Sequence, residues 1–247
     1  MTSNYRKDLY ATYVSTFKHA LPVAEDAKEQ RDYWAWARVK LLPLIADVSR
    51  DAPVLELGAG SGKFLWILQR EGFREVRGID VSDEMVSLAQ AARLPVEKAD
   101  VFEFLNEDQT KYGLIVGLDF IEHFTKAELM RLLPAIRERL RPDGVLLVQA
   151  PNAAGLLPNN TVHGDMTHSV VLTPQSFEQL LQNLGFTEVR FAETGPVPKN
   201  LRGAVRVALW SVIRTVANAV RIIETGRPQP VWTENFICRC RVKAPTP

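Results

Sequence analysis

The sequence predicts an α/β fold, a doubly wound parallel sheet, on three observations. Short apolar runs alternate with helix-periodic segments from residue 53 onward. The segments between successive runs have the length of helical crossovers, which parallel strands need. A glycine-rich turn, Gly58-Ala59-Gly60-Ser61-Gly62, joins the first run to the helix after it.

The elements follow in order. Tyr10, Tyr13, Val14 and Phe17 have helical spacing, and a helix is expected over 5–17. Pro22 separates it from a longer helix over 25–48, in which Trp34, Trp36, Val39, Leu42 and Ile45 are apolar and Pro43 is a kink site. Residues 1–49 therefore read as a helical cap, forming one folding unit with 50–247; the aromatics either pack on the core or cover a ligand. Strands are expected at 54–57, 76–80, 96–99, 114–118 and 145–149, with helices at 64–70, 82–92 and 125–140 between them. Ser82 and Thr125 are N-caps, and Pro134 should kink or restart its helix. Pro142-Asp143-Gly144 reads as a turn, and 151–172 as a loop. Thr173 caps a helix to Leu184 with Pro174 first in it. A strand at 186–191, a turn at 195–198, a long amphipathic helix at 201–223, a closing strand at 231–242 and a tail from Pro245 complete the chain.

Bulk properties bound the function. The chain has 247 residues, 46% hydrophobic and 24% charged, enough for a large core without staples. A formal net charge of +1 supplies no field to draw it onto nucleic acid, and no nucleic-acid partner is expected. Cys238 and Cys240 stand at i, i+2 on a strand, share a face and are expected to pack rather than pair. Residues 1–20 lack the apolar stretch of a signal peptide, so a cytoplasmic location is expected.

The chemistry sits where strands end. Glycines let the backbone turn sharply beside a ligand, and the next helix starts with its free N–H groups aimed there. Lys63 follows Gly62, where a dinucleotide fingerprint wants a small residue. Glu56 lies two residues before Gly58, a place for a ligand amino group rather than phosphates. Asp80 ends the second strand and can accept two ribose hydroxyls; Asp100, followed by Val101, can meet an adenine amine. Each acid has a plainer reading as a helix cap or a solvated loop acid. Together they describe a pocket for a nucleoside carrying an amino acid.

The segments LELGAGSG at 55–62, GIDVS at 78–82, AD at 99–100, LIVGLDFIEHF at 114–124 and LRPDGVLLVQAPN at 140–152 resemble the class I S-adenosylmethionine-dependent methyltransferases. The resemblance covers roughly residues 50–150. It implies a seven-stranded Rossmann-like sheet with an antiparallel last strand, here 231–242, and S-adenosylmethionine as cofactor. It further implies that Glu56, Gly58, Ala59, Gly60 and Gly62 line the methionine end, and that Asp80 holds the ribose with Val81 and Met85 beside the adenine. Asp100 and Val101 would meet the adenine edge, and Leu118, Asp119 and His123 would lie beneath the sulfonium.

The methyl acceptor needs a base if its nucleophile is an oxygen. Of four histidines, His123, His163 and His168 fall on loops expected around the transferred methyl, while His19 is expected at the surface. His168, oriented by Asp165, is the expected base, with His123 second. His163, Asp165 and His168 could instead hold a metal, but their spacing fits no strong pattern and no metal is expected. The runs at 164–186, 206–226 and 233–241 are similar to bacterial methyltransferases encoded with enzymes of cell-surface polysaccharide synthesis. That similarity implies O-methylation of a sugar hydroxyl on a glycan, a nucleotide sugar or a lipid-linked saccharide. A lipid phenol or small metabolite is the alternative acceptor; a nicotinamide-dependent oxidoreductase or an inactive binding module are the alternatives of another kind.

Leu201, Val205, Leu209, Val212, Val216, Val220 and Ile223 share one helical face, with Arg202, Arg206, Arg214 and Arg221 beside it. The stripe is expected to cover this domain or a second copy in a homodimer. The other reading is peripheral contact with the inner face of a membrane.

Overall fold

In the computed structural model the described residues are 27–242 together with Leu9. The helix expected over 5–17, Pro22, His19 and the tail from Pro245 lie outside them.

Seven strands among the described residues form one sheet in the order β3-β2-β1-β4-β5-β7-β6. They are β1 (Val54–Leu57), β2 (Val76–Asp80), β3 (Val96–Lys98), β4 (Tyr112–Leu118), β5 (Leu140–Pro151), β6 (Phe186–Glu193) and β7 (Asn235–Val242). The first five are parallel, and β7 runs antiparallel between β5 and β6. The helices are α1 (Ala27–Lys40), α2 (Lys63–Arg70), α3 (Asp83–Ala91), α4 (Val101–Glu107), α5 (Lys126–Arg139), α6 (Asn159–His163), α7 (Pro174–Asn183) and α8 (Leu201–Thr225).

Alternation along the strands feeds two cores. Val54, Leu114, Val116, Val145, Leu147 and Ile237 face α1, α2 and α3. Leu55, Leu57, Ile115, Leu146, Val148, Cys238 and Cys240 face α4, α5 and α7. The two cysteines are buried free thiols on one face, as their spacing requires. Residues 37–48 belong to the first core: Pro43 turns the end of the expected long helix into a 3-10 segment, Leu42–Ile45, whose Leu42 and Ile45 are buried.

Local chemistry sets the ends. Ser82, Asp100, Thr125 and Thr173 cap their helices through side-chain oxygens. Three expectations change. Helix α5 continues through Pro134 instead of restarting. The turn at 142–144 is a bulge inside β5, whose ladder with β4 shifts between Tyr112 and Leu114, and Asp143 takes φ +59° there. The closing strand starts at Asn235 because 231–233 instead receive Asn152, whose side-chain amide donates to the carbonyls of Val231 and Thr233.

The carboxyl ends of β1 to β6 and the start of β7 lie on one edge. Strand order reverses between β1 and β4, so the crevice for a ligand opens there.

Candidate active site

The glycine loop leaves β1 with Gly58, Gly60 and Gly62 at φ +65°, +55° and +79°. A Cβ on Gly58 would lie 2.6 Å from the Phe120 ring, and one on Gly62 2.7 Å from Leu94. Both the handedness and the close approach therefore need glycine. Ala59 is buried, and Met85 reaches within 3.8 Å of where a Gly60 Cβ would stand.

Asp80 ties this loop to its neighbour. Its Oδ2 accepts the Gly60 N–H at 2.8 Å and its Oδ1 the Ser82 N–H at 2.9 Å. Each carboxylate oxygen can accept more than one hydrogen bond, as a role toward hydroxyls requires. Asp100 caps α4, its Oδ1 accepting from Phe102 and Glu103 at 2.8 and 3.2 Å. Val101 is buried, while Val81 is exposed.

Glu56 is 3% exposed, and its Oε2 has no hydrogen-bond partner. Burial, with the nearby Asp80 charge adding to it, pushes its carboxyl up to about 8. A buried carboxylate oxygen lacking a donor, beside a glycine loop, fits a ligand ammonium group. Tyr33 of α1, stacked on Trp36, is near enough to Glu56 and Asp119 to feel their charges. Burial and the charges of Glu56 and Asp119 hold its hydroxyl protonated. Lys63, at the start of α2, is engaged in an ion pair with Glu29 of α1. Tyr33 gave no signal in the sequence beyond helical spacing.

The second cluster is built on β4 and the loop after β5. Asp119, half-buried next to Leu118, takes φ +51°, which only surrounding contacts can hold in a non-glycine residue. Those contacts are Gln149 and Asn235, whose amides donate to its Oδ1 at 3.0 and 3.4 Å. A 3-10 turn follows, Ile121–His123. The Glu122 carbonyl accepts the N–H groups of Ser169 (2.8 Å) and Val170 (3.2 Å), stitching the 165–170 loop to the turn. These two bonds bring His123 and His168 together, with ring centroids 5.1 Å apart.

The hydrogen bonds around these rings correct one expectation. Asp165 does not orient His168 by a hydrogen bond, since its Oδ2 stands 4.0 Å from His168 Nε2. The Val162 carbonyl holds His168 Nδ1 instead, at 3.2 Å. Asp165 Oδ1 accepts from the Thr167 hydroxyl (2.6 Å) and the Thr167 N–H (2.8 Å), and that hydroxyl meets His123 Nδ1 at 2.9 Å. Asp165 therefore orients His123, through Thr167. His163 is exposed and outside the cluster, and the metal set drawn from His163, Asp165 and His168 is not assembled. The set that is assembled comprises Glu122, His123 and His168, whose ligand atoms lie within 4.8 Å of one another. Glu122 and Thr167 were not singled out from sequence. The Glu122-His123 pair was visible, but its meeting with residue 168 is a tertiary fact.

The insert between β6 and β7 returns to this edge. Glu193 accepts from Trp210 (3.0 Å), Arg214 (3.3 Å) and the Trp232 N–H (2.9 Å), and Gln229 donates to the Ala154 carbonyl. Arg214 thus turns toward the domain. The apolar stripe of α8 does not cover it: Leu209 is 58% exposed, Val216 59% and Ile223 87%. Arg202 and Arg206 are exposed at the edge of that stripe. No helix among the described residues is long and apolar enough to cross a membrane.

A family model described as "Methyltransferase domain" matches residues 28–190. A trans-aconitate 2-methyltransferase of Deinococcus radiodurans is 29% identical over 184 residues, covering 65% of this chain and 67% of the relative. A tRNA U34 carboxymethyltransferase of Vibrio cholerae is 26% identical over 67% of this chain; the chain spans about half of that relative, 53%. The crystal structure of a SAM-dependent methyltransferase from Archaeoglobus fulgidus superposes with a TM-score of 0.63 at 20% identity, over 86% of this chain and 94% of that one, and so shares its fold.

Proposed function

Because the chain belongs to the methyltransferase-domain family, we propose that it transfers a methyl group from S-adenosylmethionine to a sugar hydroxyl. S-adenosylmethionine supplies a methyl group on a positively charged sulfur, ready for in-line attack. Glu56 takes the methionine ammonium, Gly58, Ala59, Gly60 and Gly62 pass beneath the methionine end, and Asp80 accepts the ribose hydroxyls. Val81 and Met85 flank the adenine, with Asp100 and Val101 at its edge. Leu118 and Asp119 lie beneath the sulfonium. Residues 1–49 act as a cap of the same folding unit, with Tyr33 over the pocket.

The observation that carries the oxygen acceptor is the pairing of His123 and His168 beyond the end of β4. A hydroxyl gives up its proton at this cluster, its oxygen bonds to the methyl carbon, and the electron pair of the broken bond returns to sulfur. The likeness of the runs at 164–186, 206–226 and 233–241 to methyltransferases of polysaccharide synthesis supports a sugar on a glycan, a nucleotide sugar or a lipid-linked saccharide.

A lipid-linked acceptor accords with α8, which leaves and rejoins the ligand edge with its apolar stripe outward and Arg202 and Arg206 beside it. On this reading the enzyme works in the cytoplasm, at the inner face of the membrane. Flotation with anionic and neutral vesicles tests it: binding to anionic vesicles alone supports it. No flotation, with a concentration-dependent dimer by sedimentation, reassigns the stripe to a second copy.

Calorimetric titration with S-adenosylhomocysteine, with NAD as control, tests the cofactor reading. Binding of the former alone supports it and leads to methyl-transfer assays on nucleotide sugars and lipid-linked saccharides. Binding of NAD alone, or of neither ligand to folded protein, overturns it.

A further inference from the structure

We infer that Glu122, His123 and His168 form a divalent-cation site at the acceptor end of the pocket, of a kind suited to Mn²⁺ or Zn²⁺. Three observations converge. One ligand atom from each residue lies within 4.8 Å of the other two, and Glu122 is 2% exposed. His168 Nε2 stands 4.0 Å from Glu122 Oε1, too far for a hydrogen bond. Donors bound to one ion at about 2.1 Å stand about 3.0–3.4 Å apart, so side-chain shifts of less than about 2 Å complete the site.

The hydrogen bonds behind the rings decide which nitrogens can bind. A carbonyl only accepts, so the Val162 oxygen at 3.2 Å fixes an N–H on His168 Nδ1 and leaves Nε2 as the nitrogen that can bind a metal. That nitrogen lies on the side of Glu122. The Thr167 hydroxyl gives its one proton to Asp165 Oδ1 at 2.6 Å, and it therefore accepts from His123 Nδ1. That makes Nε2 the metal-facing nitrogen of His123 as well. Two imidazoles, each holding its N–H on an acceptor behind it, with one buried carboxylate, reproduce the outer-shell pattern of metal-binding histidines. Two imidazoles and a carboxylate suit first-row divalent cations and leave positions open for oxygen ligands.

The inference deepens the proposed methyl transfer and rests on it for its purpose. A cation held here takes an acceptor hydroxyl as a further ligand, fixes its direction and eases loss of its proton to water. His168 then acts as a ligand rather than as a free base. Metal binding itself stands apart from that purpose, so the two readings fail separately.

The test is titration of chelator-treated full-length protein with Mn²⁺ and, separately, Zn²⁺, followed by calorimetry and, for Mn²⁺, electron paramagnetic resonance. S-adenosylhomocysteine binding to the metal-free protein is measured in parallel. The expected result is one ion per chain, with affinity reduced at least about 10-fold in Glu122→Gln and in His168→Gln, and unchanged in the exposed His163→Ala. Neither ion binding to wild-type protein that still binds S-adenosylhomocysteine would overturn the site while leaving the cofactor pocket standing. Binding unaltered in both cluster variants would overturn it equally.

Discussion

Around residues 54–101 the groups proposed to hold the cofactor lie on consecutive strand ends, held by backbone turns and by a carboxylate that reaches across 20 residues, Asp80 to Gly60. Around His168 they come from residues 119 to 235, and no one segment carries more than a part: Asp119 is held by Gln149 and Asn235, and His123 by Thr167. The first region can be altered one motif at a time. In the second, a change at Thr167 is felt at His123, 44 positions away.

The largest expected effect lies in the second region. His168→Ala should lower methyl transfer about 100-fold or more while S-adenosylhomocysteine affinity stays within about twofold. Near wild-type turnover would show that the acceptor does not use this cluster. Gly58→Ala should act oppositely. Its left-handed backbone and the Phe120 ring resist a Cβ, and calorimetry should show a loss of about 10- to 100-fold in S-adenosylhomocysteine affinity. An unchanged affinity would mean that the glycine loop does not approach the ligand.

The coupling within the second region is tested by Thr167→Val, which breaks the link between Asp165 and His123. Turnover should drop about 10-fold, with cofactor affinity unaltered. A variant as active as the wild type would reduce Thr167 to a loop-fixing role.

Proton release sharpens the first region. The Glu56 carboxyl, lifted to about 8, is protonated in the free protein at pH 7. A bound ammonium favours the carboxylate, so binding should release protons below pH 8, read from calorimetry in buffers of different ionisation heats; Glu56→Gln should release none. Because folding raises this pKa, the free protein loses stability from this group as pH rises from about 4.5, the unfolded value, through about 8. The smallest effect is expected at α8. Leu209→Gln with Val216→Gln should change stability within about 0.5 kcal/mol per site by thermal unfolding, because both side chains are already in solvent. A large loss would mean the stripe is covered in solution.

The same contrast explains what could be read from the amino acids. Strand ends and N-caps follow from local periodicity and from oxygen-bearing residues ahead of helices, so β1, β2 and the caps Ser82, Thr125 and Thr173 fall where expected. The glycine loop is local in the same sense. Asp165 and His168 do come within 4.0 Å, but the Val162 carbonyl takes the His168 ring nitrogen and the Thr167 hydroxyl takes the carboxylate, partners that only the folded loop brings there. The stripe of α8 was legible as a stripe, but its direction depends on Trp210 and Arg214 reaching Glu193 on the opposite side of the helix.

The place of β7 has a kinetic consequence. It follows every other strand in the chain yet lies between β5 and β6. Until it arrives, β5 presents an open, apolar hydrogen-bonding edge and β6 has no partner at all. Pairing of β5 with β7 joins Val145 to Arg241, a closure of nearly a hundred residues, and such non-local pairing is slow. Refolding from denaturant should therefore pass through a state that has the first five strands and is prone to aggregate through β5. A peptide matching Asn235–Val242 should compete for that edge before the chain's own last strand takes it.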